Sequence, residues 1–324
     1  MINLVWRTDV HLADRAPQSR LDDWAETVFG KLRQVENIAR RVQADAVLDG
    51  GDFFHVKSPS RNTHHLVRRV IEAHESYPCP VYACVGNHDC VYGDYTKLPQ
   101  QPLGVLFEAG VFRRLYDEHE AVFEKGGVKV RVVGVPYHGT SYDMERFKVV
   151  KGDEDYLVVV AHVLASEAGG SMFEGEDIVG HGDLADLDAD VFMFGHWHKD
   201  QGVTELVSSK GETKFVVNVG SLTRGSISED HIDRSPAAVV LTFDEDRVRY
   251  VRFDLDVEPS DEVFDIAGRV RQEARSVVIE DFVRRMESGL DGSVKVPLED
   301  QVRGLPGVPQ TVKEKALCYL EMAV

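Results

Sequence analysis

Cysteine is scarce in this 324-residue chain: four residues, Cys79, Cys84, Cys90 and Cys318, with no C-x-x-C spacing among them. That excludes a disulfide scaffold, a thiolate zinc module and a dithiol redox centre, and the four read as small buried hydrophobes of a reducing compartment. Basic charge is also short, with 37 Lys and Arg against 55 Asp and Glu and a formal net charge of −18. Bulk attraction to nucleic acid or to an anionic membrane is therefore excluded, and any such contact needs a local patch, bound cations or a partner. No apolar run approaches the ~18 residues of a membrane span. The opening Met1-Ile2-Asn3-Leu4-Val5-Trp6-Arg7-Thr8-Asp9 has no signal-peptide layout, so a soluble cytoplasmic protein without membrane contact is expected. What is present is enough apolar sequence (43%) for a sizeable core and an unusual thirteen histidines.

The first half reads as alternating strands and helices. Apolar runs at Ile2 to Trp6, Ala44 to Leu48 and Val81 to Val85 end in polar clusters, and helical spacing fills Leu21 to Val42 and Ser60 to Glu75. This order predicts parallel pairing, with a site at the carboxyl ends of the strands. The second half is richer in strands: Val128 to Val135, Leu157 to Ala161, Val191 to Phe194, Phe215 to Val219, Ala237 to Phe243 and Arg247 to Phe253. Gly169 to Asp183 reads as a glycine-rich loop. Strand signal stops near Val257, and a stripe of Val263, Ile266, Val270, Ala274, Val277 and Phe282 predicts a small helical module before a last helix at Val312 to Leu320. Two domains follow, 1–255 and 256–324.

Six histidines fall in five short clusters, mostly just after predicted strands: Asp9-Val10-His11, Gly51-Asp52-Phe53-Phe54-His55, Gly86-Asn87-His88-Asp89, Ala161-His162 and Gly195-His196-Trp197-His198. Carboxylate, neutral imidazole and amide oxygen suit divalent first-row metals, and no soft thiolate accompanies them. A carboxylate shared between two such ligand sets describes a two-metal site, which clamps the attacking and leaving oxygens of a phosphoester and activates water. Phosphoester hydrolysis is the reaction these ligands favour. His64, His65, His74, His119, His138 and His231 lack such a context, and His181-Gly182-Asp183 reads as structural because no strand precedes it.

The order D-x-H, G-D, G-N-H-D, lone His, G-H-x-H resembles the signature of the calcineurin-like metallophosphoesterases from about Ile2 to Phe253. That resemblance implies a four-layer α/β/β/α sandwich followed by the small helical module. It implies two metal sites, Asp9, His11, Asp52 and His198 at one and Asp52, Asn87, His162 and His196 at the other, with Asp52 bridging. His88 would be the general acid, oriented by Asp89.

Within the superfamily, Gly51 to Ser60 and Asn218-Val219-Gly220-Ser221-Leu222-Thr223-Arg224 with Ser226 and Ser228-Glu229-Asp230 look like the matching segments of the SbcD-type DNA repair nucleases. This finer resemblance implies two manganese ions, 3′–5′ exonuclease and single-strand endonuclease activity, His55 engaging the phosphodiester, an SbcC-type coiled-coil ATPase partner and a homodimer. Arg7-Thr8 stands where that family has Thr-Ser, and Val219 replaces its Pro. About seventy residues follow Phe253, fewer than in cellular members and closer to compact phage-encoded relatives, for which the compartment is a host cytoplasm. With a net charge of −18 the isolated chain is expected to hold DNA weakly. The alternative is a nucleotide or small-molecule phosphodiesterase using the same site.

Overall fold

A computed structural model describes residues 1–167, 175–228, 232–268, 302–304, 309–310, 313–314 and 317. The chain divides into two compact units, Met1–Asp265 and Ile266–Val324. Most of the expected C-terminal stripe and much of the last helix lie outside the described residues, as do Glu229 and Asp230. No helix among the described residues is long and apolar enough to cross a membrane.

Fourteen strands are described in the first unit. β1 (Ile2–Arg7), β2 (Ala46–Asp49), β3 (Val81–Ala83) and β4 (Phe112–Arg114) are followed by β5 (Ala121–Lys125), β6 (Val128–Val135) and β7 (Tyr156–His162). A short pair, β8 (Ala165–Ser166) and β9 (Val179–Gly180), precedes β10 (Val191–Gly195), β11 (Asp200–Val207), β12 (Thr213–Val219), β13 (Ala237–Phe243) and β14 (Val248–Asp254). They form two six-stranded sheets, ordered β14-β13-β1-β2-β3-β4 and β11-β12-β10-β7-β6-β5. β1 to β4 pair in parallel, as do β6, β7, β10 and β12, while the hairpin partners β14, β11 and β5 form three of the four edges and the parallel β4 the other.

Alternation along the strands builds the layers. In β1, Leu4 and Trp6 point into an apolar core shared with Leu241 of the neighbouring β13 and with Val158, Val160, Met193 and Val217 of the facing sheet. Val5 points the other way, into a core with Val28, Leu32 and Val35 of α1 (Trp24–Arg41) and with Leu66 and Val70 of α2 (His64–Glu75). Phe192 and Phe194 face a third core on the far side of the second sheet, with Phe147 and Leu184. Strands buried on both faces read as continuous apolar runs, which is the parallel-sheet pattern of the sequence. The architecture is the expected mixed α/β sandwich of two central sheets flanked by helices.

The helices begin later than their apolar periodicity. Asp23 caps α1 through a 3.1 Å bond from the Glu26 amide, leaving Leu21 exposed, and Thr63 caps α2 after a single 3₁₀ turn at Pro59–Arg61. α3 (Pro102–Glu108), β4, β5 and β11 were not marked by the apolar runs. A short strand, β9, does precede His181, contrary to the expectation of a plain loop.

One buried polar hub ties this helix layer to the sheet. The Arg7 guanidinium is fully buried and donates to Asp49 Oδ2 at 2.7 Å and to the Tyr77 hydroxyl at 2.9 Å. Tyr77 donates in turn to the Leu32 carbonyl at 2.8 Å. His74 Nδ1 donates to the Val70 carbonyl at 2.8 Å, so its Nε2 is the acceptor facing Arg7 Nη2 at 3.1 Å. Burial and the Arg7 charge push His74 down to about 3 from 6.5. The unfolded chain therefore takes up a proton that the folded chain refuses, and stability is lost as pH falls from about 6.5 toward about 3. Urea unfolding measured between pH 7.5 and 4.5 should show a decline containing about 1.4 kcal/mol per pH unit from this group. His74→Gln should lack that component, so the wild-type-minus-variant difference in unfolding free energy should fall with pH.

Candidate metal centre and active site

The parallel strands of both sheets deliver their carboxyl ends to one edge of the inter-sheet core. β1 leads into Asp9 and His11, β2 into Asp52, β3 into Asn87 and His88, β7 ends at His162, and β10 leads into His196 and His198. The loops after β1 and β2 are laced together: the Asp9, His11 and Leu12 amides donate to the Gly51, Asp52 and Phe53 carbonyls at 3.1, 3.0 and 2.9 Å. Four of these residues hold left-handed backbone, Asp9 (φ 52°), His11 (50°), Asp52 (54°) and His196 (82°). Non-glycine residues rarely sit there, and such strain clusters where the surrounding structure enforces it. At Gly86 a Cβ would fall 2.1 Å from Asp52 Oδ1, so only glycine lets the β3 loop approach this carboxylate.

The side chains fall into two triads, Asp9, His11 and His198, and Asp52, His162 and His196, with ligand atoms within 4.8 Å of one another in each. Asp52 Oδ2 stands between them, 3.7 Å from His11 Nε2 and 3.4 Å from His162 Nε2, while its Oδ1 accepts the His88 amide at 2.7 Å. Thr8 donates to Asp9 Oδ2 at 2.6 Å, leaving Oδ1 facing His198 Nε2 at 3.5 Å. His11 and His198 place their Nε2 atoms 2.9 Å apart. Asn87 joins the second triad, its Oδ1 3.3 Å from His162 Nε2.

Tautomers identify what belongs in the gaps. His162 Nδ1 donates to the Gly50 carbonyl at 2.8 Å, so in the neutral ring Nε2 would present a lone pair toward two further acceptors, Asn87 Oδ1 and Asp52 Oδ2. Converging acceptors need a proton or a cation between them. Although burial opposes it, the charges of Asp52 and Asp9 push His162 up to about 10. Burial raises Asp9 and Asp52, yet the histidine contacts outweigh it and hold both well below the ordinary carboxylate range. Burial and the His198 charge hold His11 well below 6.5. Oxygen and imidazole donors without thiolate, with His162 anchored from behind by the Gly50 carbonyl, fit divalent first-row ions.

Of the three residues expected to act on substrate, His88 and His55 lie together at the site, but Asp89 does not orient His88 as expected. Asp89 is buried and turned away from His88: its carboxylate accepts the amides of Asp52, Gly86 and Phe54 at 2.7, 3.0 and 3.3 Å, clamping two loops. Burial and the Asp52 charge raise it, against three donors that favour the anion. His88 is oriented instead by the His55 carbonyl, which accepts from its Nδ1 at 2.7 Å. The His55 ring stacks on His88 with centroids 5.3 Å apart, and its Nδ1 lies 3.4 Å from His11 Nδ1.

Two clefts meet at His88 and Asn87. One, about 400 Å³, runs over Asp52, His196 and His198 to Ser226 and Ser228. The other, about 800 Å³, passes His55 to Arg15, Lys57 and Arg61. Among the described residues no carboxylate pairs with these three cations, and Lys57 donates to the Asn87 carbonyl at 3.2 Å. Glu176, in the glycine-rich loop where no motif marks it, accepts from His196 Nε2 at 3.0 Å and Tyr142 at 2.7 Å. The segment Asn218 to Arg224 supports the site from behind, with the Leu222 amide on the Thr8 carbonyl at 2.9 Å.

A sequence profile of the calcineurin-like phosphoesterases matches residues 5–200. An uncharacterized metallophosphoesterase of Bacillus subtilis, YhaO, is 22% identical over 176 residues, 54% of this chain and 42% of that protein. The chain thus spans about two fifths of that relative's length. Among solved structures, the NAD nucleotidase of Haemophilus influenzae aligns over 78% of this chain and 56% of its own with 13% identity and a TM-score of 0.45. An archaeal phosphodiesterase aligns over 78% of this chain and 100% of its own, at 13% identity and a TM-score of 0.37.

Because His162 holds a proton up to about 10 when only protein groups surround it, a cation entering its triad should displace that proton. Divalent-cation affinity should therefore weaken up to about tenfold per unit of falling pH. Calorimetry in two buffers of different ionisation enthalpy should register about one proton released at this triad, and none from it in His162→Gln.

Proposed function

Since the chain belongs to the calcineurin-like phosphoesterase family, we propose that it is a phosphodiester hydrolase dependent on two divalent cations, manganese among them, whose substrate is DNA. Asp9, His11, His198 and Asp52 would hold one cation and Asp52, Asn87, His162 and His196 the other. When bound, the pair supplies Lewis acidity to the phosphoryl group and lowers the pKa of the attacking water.

The protein's own groups do the rest. Oδ1 of Asp52 is committed to the His88 amide, so its Oδ2 alone is left to serve both triads. The His55 carbonyl fixes His88 Nδ1 as a donor, which leaves Nε2 as the atom that can pass a proton to the leaving oxygen. His55 stacks on His88 at 5.3 Å and meets His11 edge-on at 5.4 Å, while the His11 and His88 rings meet edge-on at 5.0 Å, so the three imidazoles form one cluster beside the second cleft.

The observation that carries the DNA reading is that second cleft. Three cations line it together with His88, none of them paired with a carboxylate among the described residues, and a polynucleotide crossing the site would run phosphates along Arg15, Lys57 and Arg61. This is the local patch that a chain of net charge −18 requires. It is a small patch, and an SbcC-type coiled-coil ATPase partner, together with self-association, would supply the remaining grip. The segments Gly51 to Ser60 and Asn218 to Arg224 support the same assignment to an SbcD-like nuclease of DNA repair and recombination.

End-labelled duplex and single-stranded DNA incubated with Mn2+ should be degraded, and His88→Ala should slow cleavage by about 10² or more while leaving cation binding intact. Inert DNA beside rapid, His88-dependent turnover of bis(p-nitrophenyl) phosphate would leave the site reading intact and move the substrate to small phosphodiesters, or else show that the chain needs its partner to hold DNA. Arg61→Glu combined with Lys57→Glu should raise KM for DNA at least tenfold more than KM for bis(p-nitrophenyl) phosphate. It should also flatten the salt dependence of DNA binding by about two phosphate contacts.

A further inference from the structure

A fully buried arginine paired with a fully buried aspartate is an expensive way to stabilise a sheet. Desolvation of the two charges roughly cancels their attraction, and well-packed apolar replacements are commonly as stable or more so. The Arg7 guanidinium nevertheless spends all three nitrogens on fixed partners, Asp49, Tyr77 and His74, and lies between the rings of Phe53, Tyr77 and Phe112 at 5.4, 5.6 and 5.8 Å. What the pair fixes is the orientation of the Asp49 carboxylate. Asp49 Oδ2 takes Arg7 Nε, and Oδ1 accepts the Gly51 amide at 3.2 Å.

Gly51 is the residue on which both metal-site carboxylates depend. Its φ of +101° turns the chain out of β2 into the left-handed Asp52. Its carbonyl accepts the Asp9 amide at 3.1 Å. Around it, the Gly50 amide donates to the Arg7 carbonyl at 3.0 Å and the Cys84 amide to the Asp49 carbonyl at 2.8 Å on the side before it, and the Asp52 amide donates to Asp89 Oδ2 at 2.7 Å on the side after it. The single side-chain contact on the Gly51 amide is Asp49, whose angle is set by Arg7.

We propose that Arg7 and Asp49 are a positioning pair for the metal centre, acting through the Gly51 amide to hold Asp52 where one oxygen serves both cation sites. The pair touches no ligand atom and no substrate; it sets the angle of the turn from which Asp52 projects. The inference concerns the cation site and stands whether or not the substrate is DNA.

The test compares Mn2+ affinity, measured by calorimetry on the full chain without substrate, with the thermal midpoint. In the double variant Arg7→Met/Asp49→Leu the apolar pair fills the site and leaves the Gly51 amide without its acceptor. It should fold with a midpoint within a few degrees of wild type and bind Mn2+ at least tenfold more weakly. Tyr77→Phe, which removes a contact on the side of Arg7 away from the turn, should shift the midpoint and leave Mn2+ affinity unchanged. Asp49→Asn keeps the size of the side chain but turns an NH2 toward one of its two donors, and provides the reading if the double variant does not fold. It should weaken Mn2+ at least threefold at a near-native midpoint. Wild-type Mn2+ affinity in a folded double variant, or in Asp49→Asn, would overturn the proposal. So would an affinity that falls in step with the midpoint across all three variants, Tyr77→Phe included.

Discussion

Two carboxylates, Asp9 and Asp52, are buried at the same end of the inter-sheet core, both within 3.8 Å of His11 Nε2. Negative charge placed there without compensation would be costly, and the neighbourhood is organised around that fact. Histidine rings converge on the two acids from β1, β7 and β10. Thr8 and the His88 amide each occupy one carboxylate oxygen, and Asp89 gathers three amides from the loops behind. A parallel sandwich suits the task because it brings five strand ends to one place while the hydrophobic layers beneath remain continuous. Stability is supplied below the site, and the site itself is left free to concentrate like groups.

The candidate ligands were legible in the sequence because metal chemistry restricts both residue type and position. An imidazole or a carboxylate directly after an apolar strand has few other reasons to recur five times. Central strands were legible for the neighbouring reason: buried on both faces, β1, β2, β7 and β10 are apolar along most of their length, the Arg7 and Asp49 pair at the ends of β1 and β2 apart. β11 escaped because it is a polar edge strand whose identity comes from pairing with β12, a tertiary fact. β5 also lies at an edge, but a signal was available in Gly126-Gly127, both of positive φ, which close its hairpin with β6.

Asp89 shows a different limit. Adjacency in sequence suggested that it would orient His88, but successive residues at a strand end point in different directions, and the Asp89 side chain went inward to the amides while His88 went out to the clefts. The group that does hold His88 is a backbone carbonyl, which no side-chain motif can announce. Glu176 is equally silent in sequence, since an acid in a glycine-rich loop carries no periodicity and meets His196 only after folding. Arg15, Lys57 and Arg61 fall in the same class: three unremarkable cations whose meaning comes from lying beside one histidine.

The left-handed backbone at Asp9, His11, Asp52 and His196 has an evolutionary reading. A non-glycine residue in that conformation gives up about 1 kcal/mol or more that glycine would recover. Selection on folding alone would therefore push all four toward glycine, each such step erasing a candidate ligand. Drift and chemistry pull these codons in opposite directions, and a descendant released from catalysis should record the change first as glycine at these four places, well before the core beneath them begins to diverge.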